Sequence, residues 1–117
     1  MRQGVGGISV GLALAALSAV LAPAAPAAAG LRQCPHNKLC IWDDPFFEGR
    51  FYAFDVAEPD LGEGGLSGTV SVVNTTWSPW CLYAGPIFTG RRYEVSGFAV
   101  EPQLPPFRSF RVGACRR

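Results

Sequence analysis

The chain has 117 residues with ten Lys and Arg against nine Asp and Glu, a formal charge of +1, and only 16% of its residues are charged. Its one basic residue before position 30 is Arg2, so the rest of the chain is balanced in sign, which excludes the large basic face that nucleic acid or an anionic membrane surface requires. Fourteen glycines and ten prolines in so short a chain also weigh against an extended helical body.

After Arg2, fifteen residues from Ile8 to Ala22 carry no charge and nothing more polar than Ser9 and Ser18. That is the length of a signal-peptide core and short of the roughly 20 apolar residues that span a bilayer. Pro23, Pro26 and the small residues Ala27, Ala28 and Ala29 follow, so residues 1–29 read as a cleaved leader and residues 30–117 as one exported domain. The competing reading of the same stretch is an uncleaved N-terminal anchor.

Four cysteines, Cys34, Cys40, Cys81 and Cys115, all lie beyond the leader. In an exported domain of this size an even count reads as two disulfides supporting a modest core, and the residue pattern leaves three pairings open. Metal ligation is the alternative, but no C-x-x-C occurs and His36 is the sole histidine.

From Leu39 onward the chain repeats itself at an offset of 41 residues: Cys40 matches Cys81, Pro45 Pro86, Phe47 Phe88, Gly49 Gly90, Arg50 Arg91 and Tyr52 Tyr93, with Trp42 and Tyr83 as an aromatic match. The sequence therefore holds two copies of one supersecondary unit, about 39–74 and about 80–113. Each opens with a short alternating strand, Leu39-Cys40-Ile41-Trp42 or Trp80-Cys81-Leu82-Tyr83. Asp43-Asp44-Pro45 and Ala84-Gly85-Pro86 supply turns, and Gly49 and Gly90 permit a positive φ there. Returning strands are expected over residues 50–54 and 91–95 because both are rich in β-favouring side chains. Loops rich in Gly and Pro follow at residues 61–68 and 102–106, and residues 69–73 and 107–112 close each copy as a final strand. No stretch beyond the leader has helical periodicity, so the fold class is all-β.

The order of aromatic strand, turn, Phe-x-Gly, second strand, loop and a strand bearing Ser71 or Ser109 resembles the Greek-key motif of the βγ-crystallin fold, two of which make one sandwich domain. The opening Cys34-Pro35-His36-Asn37-Lys38-Leu39-Cys40 is similar to the start of the secreted actinobacterial metalloproteinase inhibitors, single domains of that fold. Together the resemblances cover residues 34–115. They imply that the first and last strands of a motif are antiparallel neighbours, which would pair Cys81 with Cys115 and leave Cys34 for Cys40.

The resemblance implies a secreted peptidase inhibitor acting as a monomer on a secreted proteinase, without enzymatic activity. Such an inhibitor needs an exposed loop held in a protease-ready shape. The disulfide-closed loop of Pro35, His36, Asn37, Lys38 and Leu39 is one candidate, with Lys38 and Leu39 offered to specificity pockets; its plainer role is to pin the N-terminus to the first strand. Well-known members carry the reactive bond in a second tight cysteine loop, which this sequence lacks. The substitutes are the connector Trp77-Ser78-Pro79-Trp80, with the bond after Cys81 leading into Leu82, and the Pro-rich stretch at residues 102–106. Trp77 and Trp80 serve as partner anchors if exposed or as filling between the motifs if buried.

Other chemistries are poorly supplied. Calcium in the resembling fold is held by an acidic or amide pair four residues before a Ser, and here Ser67-Gly68 and Pro105-Pro106 stand in those places with no carboxylate. Asp43, Asp44, Asp55, Glu58, Asp60 and Glu63 remain as oxygen donors, but no cofactor is expected. With one histidine, no nucleophile elbow and the adjacent Asp43 and Asp44 placed in a turn, catalysis is not expected either. The reading from a different class is a βγ-crystallin-like binding or toxin-like module acting at a cell envelope.

Overall fold

The computed structural model describes residues 30–116, so the leader assigned to residues 1–29 lies outside the described residues. Seven strands follow in order: β1 (Leu39–Trp42), β2 (Phe51–Phe54), β3 (Val70–Asn74), β4 (Trp80–Tyr83), β5 (Arg92–Val95), β6 (Val100–Leu104) and β7 (Ser109–Val112). They form two antiparallel sheets, β2-β1-β3-β6 and β5-β4-β7. The two copies thus exchange material. Strand β6 belongs to the second copy by sequence yet pairs with β3 of the first, while Glu58 of the first copy bridges to Phe110 in β7 of the second.

Strand β6 corrects the sequence reading, which placed Pro102 in a loop. The stretch Val-Glu-Pro-Gln-Leu is the outermost strand of its sheet, and one side of its backbone has no ladder partner. A proline, which cannot donate, is tolerated on such an edge, and the register shift opposite Val70 and Val72 takes up the irregularity.

Strand β1 is buried on both faces. Leu39 and Ile41 point into the main core with Val70, Val72, Trp80, Leu82, Val95, Phe107 and Phe110. Cys40 and Trp42 point the other way into a second cluster with Phe47 and Val73, covered by Leu31, Cys34 and Phe51. Simple in-and-out alternation therefore does not describe it, because a terminal segment roofs its outer face. The disulfides follow the repeat: Cys40 is bonded to Cys34 near the N-terminal end, and its counterpart Cys81 to Cys115 near the C-terminal end.

The hairpin turns match in detail. Gly49 and Gly90 have φ of 86° and 85°, in the left-handed region where glycine has no Cβ penalty, and a Cβ on Gly49 would strike the Asp43 and Asp44 carboxylates. Phe47 and Phe88 stack edge-on against Trp42 and Tyr83, with centroids 5.3 and 5.7 Å apart. The amide of each Phe donates to a buried serine hydroxyl, Phe47 to Ser71 at 2.8 Å and Phe88 to Ser109 at 3.0 Å. Ser71 in turn donates to the Asp44 carbonyl and Ser109 to that of Gly85, both at 2.7 Å.

Candidate functional site

The strand registers bring one end of the sandwich into focus. Leu39 is opposite Phe54 and Asn74, Val73 opposite Val100, and Trp80 opposite Val95 and Val112. The segments leaving those residues therefore gather at the same end: the disulfide loop before β1, the chain after β2, the β3–β4 connector and the β5–β6 connector. Of the seven large hydrophobic residues exposed among the described residues, Val56, Trp77, Phe98, Val100 and Val112 lie at this end, whereas Phe46 and Ile87 occupy the hairpin turns at the other. Apolar side chains concentrated in this way mark an interaction surface more often than isolated ones do.

Its tip is Trp77, 84% exposed, whose ring meets Phe98 edge-on with centroids 4.8 Å apart. Gly97 beneath it lies so near the carbonyls of Thr76 and Trp77 that a Cβ would sit 3.0 and 2.7 Å from their oxygens. Only glycine allows that approach of the two connectors.

Two residues fix the backbone around Trp77. Asn74 is fully buried at the end of β3, and its side-chain amide donates to the carbonyls of Ser78 (2.8 Å), Val95 (3.2 Å) and Ser96 (2.9 Å). Its Oδ1 accepts from the Thr76 amide at 2.9 Å and hydroxyl at 2.7 Å. The Trp80 indole N–H donates to that same hydroxyl at 3.2 Å. Thr75 then stitches the connector to the disulfide loop. Its hydroxyl accepts from the Lys38 amide (2.9 Å) and donates to the Pro35 carbonyl (2.7 Å), and its own amide and carbonyl bond to the Lys38 carbonyl (2.9 Å) and the Asn37 amide (3.2 Å). A buried amide with all its polar atoms engaged holds a loop rigidly, because leaving any one unpaired costs desolvation free energy.

The two loops singled out in the sequence are thus neighbours, although not all of their residues are available. Pro35, His36 and Asn37 are exposed, and Lys38 is half-buried with its ammonium 2.8 Å from Asp55 Oδ2. Hydrogen bonding and attraction from that ammonium hold the Asp55 carboxyl below the usual carboxylate range. Leu39 is corrected: its side chain is wholly buried in the main core, so it is not offered to a specificity pocket. In the connector, Trp77 is exposed and Pro79 half-buried, but Trp80, Cys81 and Leu82 are buried in β4. The bond after Cys81 is corrected with them, since both residues are ladder-paired on two sides, to Glu94 and Arg111 and to Tyr93 and Phe110. Residues 102–106 lie away from this end, at and beyond the far end of β6.

These are the parts of a loop-presenting domain, and the sequence comparison decides their family. The family model for peptidase inhibitor family I36 matches residues 27–96, more than half of the chain. The chain belongs to peptidase inhibitor family I36. The matched region of this I36 member contains both candidate loops and strands β1 to β5. No curated protein matches the chain. Among solved structures, the fifth crystall domain of the non-lens protein Absent in melanoma 1 aligns at a TM-score of 0.51 and 20% identity, covering 70% of this chain and 94% of that one. At such identity the likeness concerns fold alone, and the fold is a βγ-crystallin-like sandwich stapled by two disulfides.

As an I36 member the protein is a peptidase inhibitor and not an enzyme, and a proteinase is its implied partner. No helix of the described residues is long and apolar enough to cross a membrane. Among the described residues no three His, Cys, Asp or Glu side chains gather to hold a metal ion. Sequence reasoning missed Asn74, Thr75, Gly97 and Phe98 as parts of the site. Asn74 and Thr75 leave one trace in the sequence, the run Asn74-Thr75-Thr76, which matches a glycosylation sequon, although the Asn74 amide is buried and fully engaged.

Proposed function

We propose that this I36 protein is exported, loses residues 1–29, and blocks the cleft of a metalloproteinase or serine proteinase with the rigid connector at residues 75–79, Trp77 entering first. The disulfide loop at residues 35–38 lies beside it and extends the contact. One observation carries the reading: the most exposed tryptophan of the domain stands on a connector whose backbone is clamped by the buried Asn74 and tied by Thr75 to the Cys34–Cys40 loop. A loop already held in one shape loses little conformational entropy when it docks, so more of its contact free energy appears as affinity. Trp77 supplies a large rigid apolar contact, and Phe98 supports it from the side.

Titrating the oxidised mature domain against thermolysin-like and subtilisin-like proteinases tests this. Stoichiometric loss of proteolytic activity is the expected result with at least one class. Rapid digestion of the domain to small fragments by both would reject the proposal, and a calcium-dependent rise in melting temperature without inhibition would favour a calcium-binding structural domain instead.

A further inference from the structure

Neither disulfide crosses the connector. Cys34–Cys40 lies wholly before it and Cys81–Cys115 wholly after. A proteinase that hydrolyses the Thr76–Trp77 or Trp77–Ser78 bond adds one water, leaves a carboxylate on one residue and an ammonium on the next, and produces two pieces with no covalent link. An inhibitor built on a cleavable loop would then depend on non-covalent contacts to survive the cut.

Those contacts are extensive because the copies exchange strands. Strand β6 of the C-terminal piece pairs with β3 of the N-terminal piece, and Glu58 and Phe110 exchange two backbone hydrogen bonds of 3.0 Å. The main core mixes both pieces, Leu39, Ile41, Val70 and Val72 from one with Trp80, Leu82, Val95, Phe107 and Phe110 from the other. Close to the cut, the clamp is Asn74. With its Oδ1 it holds Thr76 of the N-terminal piece, and with its amide it holds the Ser78, Val95 and Ser96 carbonyls of the C-terminal piece. Pro79 is fixed further on by the Gly113 amide at 2.7 Å.

We infer that Asn74 is the positioning residue of the inhibitory loop: it keeps the two new termini facing each other, so that the nicked chain remains a native two-piece complex and expulsion of the same water can reseal the bond. The resealing part rests on the inhibitor reading above; the two-piece complex does not.

The test is a single cut in the full oxidised domain. A Trp77→Met variant is cut by cyanogen bromide, since the sequence has no methionine other than Met1, and is returned to neutral buffer beside an uncut control carried through the same acid. The cut protein should run as two bands in non-reducing denaturing electrophoresis but elute as one particle of uncut size under native conditions. Adding Thr76→Val, which removes a hydroxyl at a half-exposed position, or Asn74→Asp, which sets an oxygen against three carbonyls, should speed separation of the cut pieces at least tenfold. Either should lower the melting temperature of cut protein more than that of uncut protein. A purely structural role would lower both equally, and that outcome overturns the assignment, as does a cut protein that falls apart on its own without either substitution. A native two-piece complex from a domain that inhibits no proteinase would sink the inhibitor reading and the resealing part with it, leaving Asn74 only as the clamp between the two pieces.

Discussion

Ser71 accepts the backbone N–H of Phe47 at 2.8 Å across 24 residues of sequence, and it is the bond through which the last strand of the first motif fixes that motif's hairpin turn. Because Ser71 also donates to the Asp44 carbonyl, Ser71→Ala takes the partner from the buried Phe47 amide and from a part-buried carbonyl. The expected loss is about 1–3 kcal/mol, read by urea denaturation. Ser109→Ala should fall in the same range, whereas Ser67→Ala, on an exposed loop, should change little.

The two disulfides should differ in weight. Cys34–Cys40 closes a separation of 6 residues and Cys81–Cys115 one of 34. In the chain-entropy account the longer loop restrains the unfolded state more, by about 1.5 kcal/mol. Replacing each pair with alanine in turn and comparing denaturation midpoints checks this; equal losses would show that native packing of the Cys34 segment over Trp42 contributes as much as loop closure.

Trp77 and Trp80 sit three residues apart in opposite environments, 84% and 1% exposed. Trp77→Ala should leave stability within about 0.5 kcal/mol of the parent. Its inhibition constant should rise at least tenfold, as expected of an interface anchor. Trp80→Ala empties the main core and should cost about 3–5 kcal/mol, with loss of inhibition only through unfolding. Inhibition assays paired with melting curves separate the two effects.

Acid should weaken the domain through two carboxylates. The guanidinium of Arg108, 2.7 Å from Asp60 Oδ1, and the Gly62 amide hold the Asp60 carboxyl below its ordinary range, as Lys38 does for Asp55. A depressed folded-state pKa means that the charged form favours folding. The contribution is therefore present above the unfolded value of about 3.9 and fades as pH falls below it. Both groups are exposed, so the effect should be small and weaken with salt. Melting temperatures measured from pH 6 down to about 2 should fall less steeply for Asp60→Asn than for the parent.

The repeat at offset 41 fixed much of this architecture in advance. Paired cysteines, aromatics and glycines at equal spacing are hard to produce by chance and point to two copies of one unit, and short β-rich runs between Gly and Pro turns leave little choice of secondary structure. Gly49 and Gly90 were legible because positive φ has a residue signature. What the sequence could not state was which surface each strand met. Leu39 and Trp80 look as available as Lys38 and Trp77 in a linear reading, and only the packing of the two sheets on each other buries them. Strand β6, with Pro102 inside it, was hidden because proline opposes strand formation unless the strand lies at an edge, and edge position is a property of the assembled sheet. Thr75 joins Lys38 across 37 residues, and Asn74 joins Val95 and Ser96 across 21 and 22. Contacts between residues so far apart in sequence have no local signature, so the clamp around Trp77 exists only once both motifs have closed on each other.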